Sequence, residues 1–363
     1  MISNALMARD GGGRDNDPTD TGDWVAANAC GGYHRASDSS WHGTHVAGIA
    51  AASTNNRQGV EGVAPDANIL PVRALGACGG YTSDIADGIA WSAGIDVPGV
   101  GPNANPADVI NLSLGGQSRK CAEPYQRAID AANSRGATIA VAAGNENTRT
   151  DYVQPANCDG VIVVGATGPA SERATYSNYG RAVDVSAPGG NMAAHGAQGG
   201  ILSTVNNGRF RPGQAAYSFM EGTSMATPVV SGVIALMKDA NPGISDAQIE
   251  RILKDTAQPL DGGRSFGMGA GIVNAQAAVC KAAGQDANCG QVERQPEKTK
   301  PVEPKPEPAP VDEARPEPQP EPRPEPAPVE DAQPEPQPQP EPGKRKSDKE
   351  RYPLLRLLDW WRD

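Results

Sequence analysis

Three residues of this sequence could do chemistry together, and each lies in a run of small residues. His42 lies in HGTHVAG, Asn145 in AAGNEN and Ser224 in GTSMATP. A serine oxygen can act as a nucleophile, an imidazole can take its proton, and a side-chain amide can donate to a developing negative charge. Taken singly, each residue also has a structural interpretation: a packed histidine, a turn asparagine and a helix N-cap serine.

Together the three segments resemble the histidine, asparagine and serine motifs of the subtilisin-like serine proteases, the subtilases. Their order is that of the family, and their spacing is near the family's. Supporting similarities lie at residues 76–91, 111–116 and 176–189. The resemblance covers about residues 25 to 280 and is greatest for the secreted bacterial branch that carries disulfides.

The resemblance implies a role for each residue in endopeptide hydrolysis of broad protein substrates, without a catalytic cofactor. Ser224 would attack the scissile carbonyl, and His42 would transfer the proton to the leaving amine. Asn145 and the backbone N–H of Ser224 would form the oxyanion hole. Further residues would bind an extended polypeptide by its backbone: Gly79, Gly80, Tyr81, Ser113, Leu114, Gly115 and Gly144.

The tripeptide Asp20-Thr21-Gly22 raises the question of the triad acid, because an Asp, a His and a Ser then follow in order. In the family this aspartate follows an apolar strand, but Asp20 follows GGGRDNDPT, which contains no apolar residue. We therefore expect Asp20 to lie in a solvated loop. The first strand and its triad aspartate are expected to be missing from this chain. The alternative is an inactive or fragmentary subtilase-fold protein that binds peptides.

The loop around Asp20 is rich in carboxylates. Hard oxygen ligands suit Ca²⁺, and secreted subtilases commonly bind structural calcium. The spacing differs from that of an EF-hand, and an ordinary solvated turn is the alternative. The candidate calcium ligands are Asp10, Asp15, Asp17, Asp20 and Asp23.

The six cysteines favour disulfides over buried free thiols, because their number is even and no C-x-x-C occurs. The sequence alone leaves the pairing open, although Cys280 and Cys289 close a short loop. Sequential order and the resemblance imply the bridges Cys30–Cys78, Cys121–Cys158 and Cys280–Cys289. Disulfides indicate a secreted protein, although the first residues lack the basic and apolar regions of a signal peptide.

The elements that must position these residues follow an alternating pattern. Apolar runs at 68–75, 108–115, 136–144 and 160–168 predict buried parallel strands. Helical spacing occurs at 82–94, 123–136, 224–243 and 245–257, where Ser245 is the expected N-cap. The predicted fold is three-layer α/β, with a mostly parallel central sheet and helices on both faces.

The composition changes near residue 290. Residues 1–290 form the predicted catalytic domain, 291–343 a Pro/Glu-rich disordered linker, and 344–363 a basic segment with a short amphipathic helix. The apolar face of that helix comprises Leu354, Leu357, Leu358 and Trp361. It could dock on its own catalytic domain, on a partner or on a membrane surface. The whole tail could also be a plain spacer.

The formal net charge of −11 argues against nucleic acid as a partner, because no basic groove accompanies it. No apolar run is long enough to span a membrane. A monomer is expected.

Overall fold

The computed structural model describes residues 1–31, 35–260 and 267–285. Its helices are α1 (Ala5–Ala8), α2 (His42–Ala51), α3 (Thr82–Ser92), α4 (Glu123–Ser134), α5 (Met192–His195), α6 (Thr223–Ala240), α7 (Asp246–Thr256) and α8 (Ala275–Ala282). Its strands are β1 (Val109–Leu112), β2 (Gly116–Gln117), β3 (Thr138–Ala142), β4 (Val153–Gln154), β5 (Ile162–Thr167), β6 (Val185–Pro188), β7 (Ile201–Asn206) and β8 (Ala215–Met220).

The central sheet is parallel, with strand order β1-β3-β5-β6. Every residue of β3 and β5 is buried. Strands buried on both faces need a helical layer on each side, so the continuous apolar runs seen in the sequence are explained. The predicted three-layer α/β fold is confirmed.

Two apolar cores cover the two faces of the sheet. On one face, Ile89 of α3 and Ile129 of α4 pack against Ile139 of β3. On the other, Ile234 of α6 packs with Val164 of β5. Full burial of one such side chain stabilises the fold by about 1.5–3 kcal/mol, so these cores hold the strand ends in fixed positions.

The predicted helices are confirmed within a few residues of their expected bounds. α7 begins with a capping box, in which Ser245 accepts from the backbone of Gln248 and the Gln248 side chain accepts from the backbone of Ser245. Gly136 lies just after α4 with φ +83°, a conformation that suits glycine at a helix end.

The strand predicted over 68–75 is wrong. This segment is part of the described chain and forms no ladder, and Ile69 is 47% exposed. A strand needs a hydrogen-bonded neighbour as well as apolar residues. The sheet as described ends at β1, and segment 68–75 has no neighbouring strand in it.

Two of the three predicted disulfides are confirmed. Cys30 pairs with Cys78 at a Cα–Cα distance of 5.3 Å, and Cys121 pairs with Cys158 at 4.9 Å. Cys289 lies outside the described residues, as do the linker 291–343 and the segment 344–363, so predictions about them stay predictions.

Within the described ranges, no helix has both the length and the apolar character needed to cross a membrane.

Candidate active site

Ser224 lies in the first turn of α6 and is buried. The positive end of the helix dipole favours negative charge at this position. Its Oγ lies 3.5 Å from the main-chain oxygen of Ser113, a predicted substrate-binding residue. The candidate nucleophile therefore lies beside one of the two predicted substrate segments.

A second contact ties Ser224 to the same segment. Pro228 lies inside α6 and has no N–H to donate to the carbonyl of Ser224, four residues earlier. The hydroxyl of Ser113 donates to that carbonyl instead, at 2.7 Å. Asn111 Nδ2 donates in turn to Ser113 Oγ at 2.9 Å. The proline in the helix therefore permits a direct bond between the serine turn and the end of β1.

Asn145 follows β3 by three residues, and its side chain is oriented by Thr223. The N–H and the hydroxyl of Thr223 both donate to Asn145 Oδ1, at 2.9 and 2.8 Å. Since the oxygen is occupied, the Nδ2 group is the part of the amide left to face a ligand. The first residue of α6 therefore fixes this amide in one orientation.

Asn145 Nδ2 and the backbone N–H of Ser224 lie on one small volume beside Gly222. A Cβ atom at Gly222 would lie 3.4 Å from Asn145 Nδ2 and 3.6 Å from Ser224 N. Gly222 has φ +152° and no side chain, and the same Cβ position would lie 3.6 Å from Met225 Sδ. Two N–H donors near one residue are the kind of group that stabilises an oxyanion.

His42 begins α2, which packs against α6. Val46 and Ile49 cluster with Met225, the residue after Ser224. Further along, a Cβ at Gly232 of α6 would lie 3.4 Å from the carbonyl oxygen of Ala50. The two helices therefore run in the same direction, and His42 and Ser224 lie at the same end of the pair.

The loop before His42 is held by polar bonds to distant residues. Asp23 accepts hydrogen bonds from the N–H and the hydroxyl of Ser40, both at 2.7 Å. Trp41 Nε1 donates to Gly208 O at 2.7 Å, and Ser39 N donates to Arg209 O at 2.7 Å. The turn between β7 and β8 therefore fixes the start of α2.

The environment of His42 favours the neutral imidazole. Burial lowers its pKa to about 4, with the charge of His45 acting in the same direction, while the carboxylate of Asp23 raises it. A neutral imidazole at neutral pH can accept a proton, as a general base must.

Asp20 lies outside the helices and strands, and its side chain is half-buried rather than fully solvated. Its Oδ1 accepts from Gly22 N at 2.8 Å and lies 4.0 Å from Arg73 Nε. Burial raises the pKa of the Asp20 carboxyl. It does not follow a strand, and its described partners are a turn N–H and a guanidinium.

The five predicted calcium ligands do not converge. Asp15 and Asp17 each accept from a backbone N–H two residues on, and Asp10 pairs with Arg73 at 3.2 Å. In the part of the chain that the structure describes, no group of three or more His, Cys, Asp or Glu side chains could hold a metal ion. The arrangement fits the solvated-turn alternative, in which Arg73 supplies the positive charge.

The predicted substrate-binding residues border the same region. Ser113, Leu114 and Gly115 lie between β1 and β2, and Gly80 and Tyr81 lie between a Gly76–Gly79 bridge and α3. Leu114 and Leu75 pack on the same apolar cluster. Gly144 has φ +104° and donates its N–H to Thr223 Oγ1 at 3.2 Å. Tyr81 is 40% exposed, so its side chain is accessible.

Sequence reasoning missed the roles of Thr223, Asp23 and the Ser113 hydroxyl. A proline inside a predicted helix leaves a carbonyl without its donor, and this signal could have pointed to a side-chain partner for Ser224 O. No local signal links Asp23 to Ser40, because the bond depends on the path of the loop.

Comparisons of this sequence with known proteins all point to one protein family. A model described as the subtilase family matches residues 2–271. An extracellular protease of Xanthomonas campestris pv. campestris is 52% identical over 283 residues, which are 78% of this chain and 47% of that protein. An extracellular basic protease of Dichelobacter nodosus is 47% identical over 287 residues, 77% of this chain and 46% of that protein. The chain thus spans about half the length of these relatives.

Solved structures show the same similarity. A protease from Pseudoalteromonas arctica PAMC 21717 matches with a TM-score of 0.74 and 50% identity, over 77% of this chain and 82% of that one. Fervidolysin from Fervidobacterium pennivorans, a keratinolytic enzyme related to subtilisin, matches with a TM-score of 0.54 and 32% identity. That match covers 67% of this chain and 36% of fervidolysin.

Proposed function

Because this chain belongs to the subtilase family, we propose that it is a secreted serine endopeptidase with a catalytic domain at 1–290. Secretion is supported by two disulfides and by the extracellular relatives. The proposal extends to a monomer that acts on extended polypeptides, with 291–343 as a linker and 344–363 as a terminal segment.

In the proposed reaction, Ser224 Oγ attacks the scissile carbonyl carbon and His42 takes the hydroxyl proton. The carbonyl oxygen becomes an oxyanion, which accepts hydrogen bonds from Asn145 Nδ2 and Ser224 N. His42 then gives its proton to the leaving amine as the C–N bond breaks, and an acyl ester forms on Ser224. Water, deprotonated by His42, hydrolyses the ester and restores the serine.

The observation that carries this proposal is the pair of N–H donors beside Gly222. Asn145 Nδ2 and Ser224 N would lie 3.4 and 3.6 Å from a Cβ atom at Gly222, two residues before the candidate nucleophile. Removing one such donor in a related site costs about 10²–10³ in kcat.

Substrate would bind by its main chain. Ser113, Leu114 and Gly115 on one side, and Gly79, Gly80 and Tyr81 on the other, lie outside the strands of the described sheet. Tyr81 is extended, whereas Gly79 has φ +95° and exchanges both main-chain hydrogen bonds with Gly76. Pairing of this kind recognises any extended peptide and depends little on its side chains. Broad cleavage of unfolded segments follows.

The proposal is tested by covalent labelling with a serine-directed phosphonate. The wild-type chain should be labelled, and Ser224→Ala should lose the label. Ser231→Ala is a matched control, because Ser231 lies on the same helix and its hydroxyl donates to Asn111 Oδ1 at 2.9 Å. Labelling that survives Ser224→Ala would reject Ser224 as the nucleophile.

A second candidate function is peptide binding without cleavage. It is favoured by the partners of Asp20, which are the N–H of Gly22 and the guanidinium of Arg73. An activated ester separates the two functions: an enzyme releases a burst of alcohol as acyl-enzyme accumulates, whereas a binding protein does not.

No cofactor takes part in the proposed reaction. The earlier expectation of structural calcium is tested by chelation. If the five aspartates hold calcium, a chelator should lower the melting temperature, and Asp15→Ala and Asp17→Ala should reduce that effect. If they form only turns, these two substitutions should not alter the response to the chelator.

A further inference from the structure

Asn178 has no part in the reaction described above, yet it is fully buried beside the candidate oxyanion hole. It lies between β5 and β6, far in sequence from Asn145. Its backbone N–H donates to Gly144 O at 3.0 Å. A buried amide needs partners for its oxygen and its nitrogen, so its hydrogen bonds show what it holds.

The side chain of Asn178 bonds to the loop on both sides of Asn145. Its Oδ1 accepts from Glu146 N at 3.1 Å and from Thr148 N at 2.9 Å. Its Nδ2 donates to Ala143 O at 3.0 Å and to Glu146 Oε2 at 2.6 Å. The Asn178 amide therefore fixes the residues before and after Asn145. The Asn145 side chain itself is held by Thr223.

The packing around this amide is tight. A Cβ atom at Gly144 would lie 2.2 Å from Asn178 Nδ2, closer than any real contact. Gly144 also has φ +104°, which glycine adopts at low cost. The loop can therefore lie against Asn178 only because residue 144 has no side chain.

We propose that Asn178 is the positioning residue of the oxyanion hole, acting through Asn145. This inference rests on the proposed function, since it concerns the same site. A donor stabilises an oxyanion only when it is already aimed at the place where charge develops. A displacement of about 1 Å can cost about 10²-fold in rate, so the support of the loop contributes directly to the rate.

The test is Asn178→Asp, which keeps the size of the side chain and replaces the NH₂ donor with an oxygen. Bonds to Ala143 O and Glu146 Oε2 are lost, and two carboxylates then face each other. We expect kcat to fall by about 10–10²-fold, with KM little changed, because the oxyanion forms after substrate binds. Asn157→Asp is the matched control, since Asn157 Nδ2 also donates to two loop carbonyls, at Ser118 and Asp151.

A double-mutant cycle separates positioning from general loss of structure. If Asn178 acts through Asn145, then Asn178→Asp should cause no further loss of kcat in the Asn145→Ala background. An equal loss of kcat in both backgrounds would overturn the proposal. Asn178→Ser serves if melting curves show that Asn178→Asp does not fold.

A spectroscopic measurement keeps this inference distinct from the proposed function. If the wild-type chain shows neither hydrolysis nor phosphonate labelling, the proposed function has failed. Asn178 is then tested by the NMR signal of the Asn145 side-chain NH₂, assigned by its absence in Asn145→Ala. The signal should shift in Asn178→Asp and not in Asn157→Asp; an unmoved signal in Asn178→Asp would overturn the inference.

Discussion

Ser224 and Asn145 come directly from buried elements, whereas His42 follows a long and largely exposed loop. Asn145 lies three residues beyond β3, and Ser224 is the second residue of α6. Before His42, residues 26–29 and 35–38 are exposed, and the loop is held by side-chain and main-chain hydrogen bonds. The serine side of the site, which comprises Ser224 and Asn145, is thus positioned mainly by packed elements. The histidine side, which comprises His42 and the loop before it, is positioned by a few hydrogen bonds.

This difference affects how well each side of the site tolerates a substitution. Packed strands and helices place their ends through many small contacts, although the loop that carries Asn145 also depends on its hydrogen bonds to Asn178. A loop held by a few hydrogen bonds depends on each of them, at about 0.5–1.5 kcal/mol apiece. A substitution on the serine side should therefore have a different effect from a substitution on the histidine side.

The largest effect is expected on the serine side, from Asn145→Ala. Loss of the Nδ2 donor should lower kcat by about 10²–10³-fold, with KM little changed. The melting temperature should also fall, because the buried N–H and hydroxyl of Thr223 lose their acceptor, Asn145 Oδ1. Steady-state kinetics on a peptide ester measure this change. Asn147→Gly, at an exposed neighbour on the same loop whose φ of +49° suits glycine, is the control; an equal loss of kcat in both variants would contradict a specific role for Asn145.

The next effect compares the two disulfides. Cys30→Ser/Cys78→Ser and Cys121→Ser/Cys158→Ser open loops of 48 and 37 residues. Each should lower the free energy of unfolding by about 2–4 kcal/mol, and the difference in loop length contributes only about 0.2 kcal/mol. Denaturant titration measures both.

Kinetic measurements should distinguish the two cysteine double variants, although their free energies of unfolding should be similar. Cys30 lies in the loop before His42, and Cys78 precedes the predicted substrate residues Gly79–Tyr81. Only the first double variant should therefore raise KM. A matched rise in KM for the Cys121/Cys158 variant would show that the two sides are not positioned independently.

The serine side could be predicted largely from the sequence. The apolar run that ends in Gly144 predicted strand β3, because burial on both faces leaves a continuous apolar pattern. The helical spacing of residues 224–243 predicted helix α6. The wrong strand at 68–75 shows the limit of this reasoning. Its residues are apolar, but a strand also needs a neighbour, and a pattern within one segment carries no information about that neighbour.

The histidine side could be predicted only at His42 itself. The bonds from Asp23 to Ser40 and from Trp41 to Gly208 join residues far apart in sequence, and neither segment has a periodic pattern. Asn178 is a similar case, since its role depends on a loop more than thirty residues earlier along the chain. Such polar contacts follow from the completed fold.

A smaller effect is expected from Trp41→Phe. Trp41 is buried, and its Nε1 donates to Gly208 O at 2.7 Å. Loss of this bond should lower the free energy of unfolding by about 1–2 kcal/mol, a fall in melting temperature of about 2–8 °C. Trp91→Phe is the control, because Trp91 Nε1 donates to Gly101 O at the same 2.7 Å. Both should lose stability, and only Trp41→Phe should also slow hydrolysis; equal rates in the two variants would remove the link between Trp41 and His42.

The smallest effect concerns the protonation of His42. The pKa of His42 is lowered to about 4 by burial and by His45, so the neutral, base-competent form persists at and above pH 5. Hydrolysis should therefore be lost only as the pH falls through about 4, below the ordinary histidine range. A plot of kcat/KM against pH measures this acid limb, because it reports ionisations of the free enzyme.

The variant Asp23→Asn tests how Asp23 contributes to the pKa of His42, in the same plot of kcat/KM against pH. The carboxylate of Asp23 raises the pKa of His42, since negative charge favours the imidazolium. Removing that charge should lower the acid limb by a fraction of a pH unit, and Asp17→Asn, on an exposed part of the same loop, should leave it in place. An acid limb near 7 in the wild-type chain would contradict this account of His42, because it would show that the pKa of His42 lies near the ordinary histidine value. If Asp23→Asn then abolished that limb together with activity, Asp23 would be the acid. If the limb stayed near 4 and moved only slightly in Asp23→Asn, His42 would be a base tuned by burial, with Asp23 acting at a distance and through the Ser40 turn.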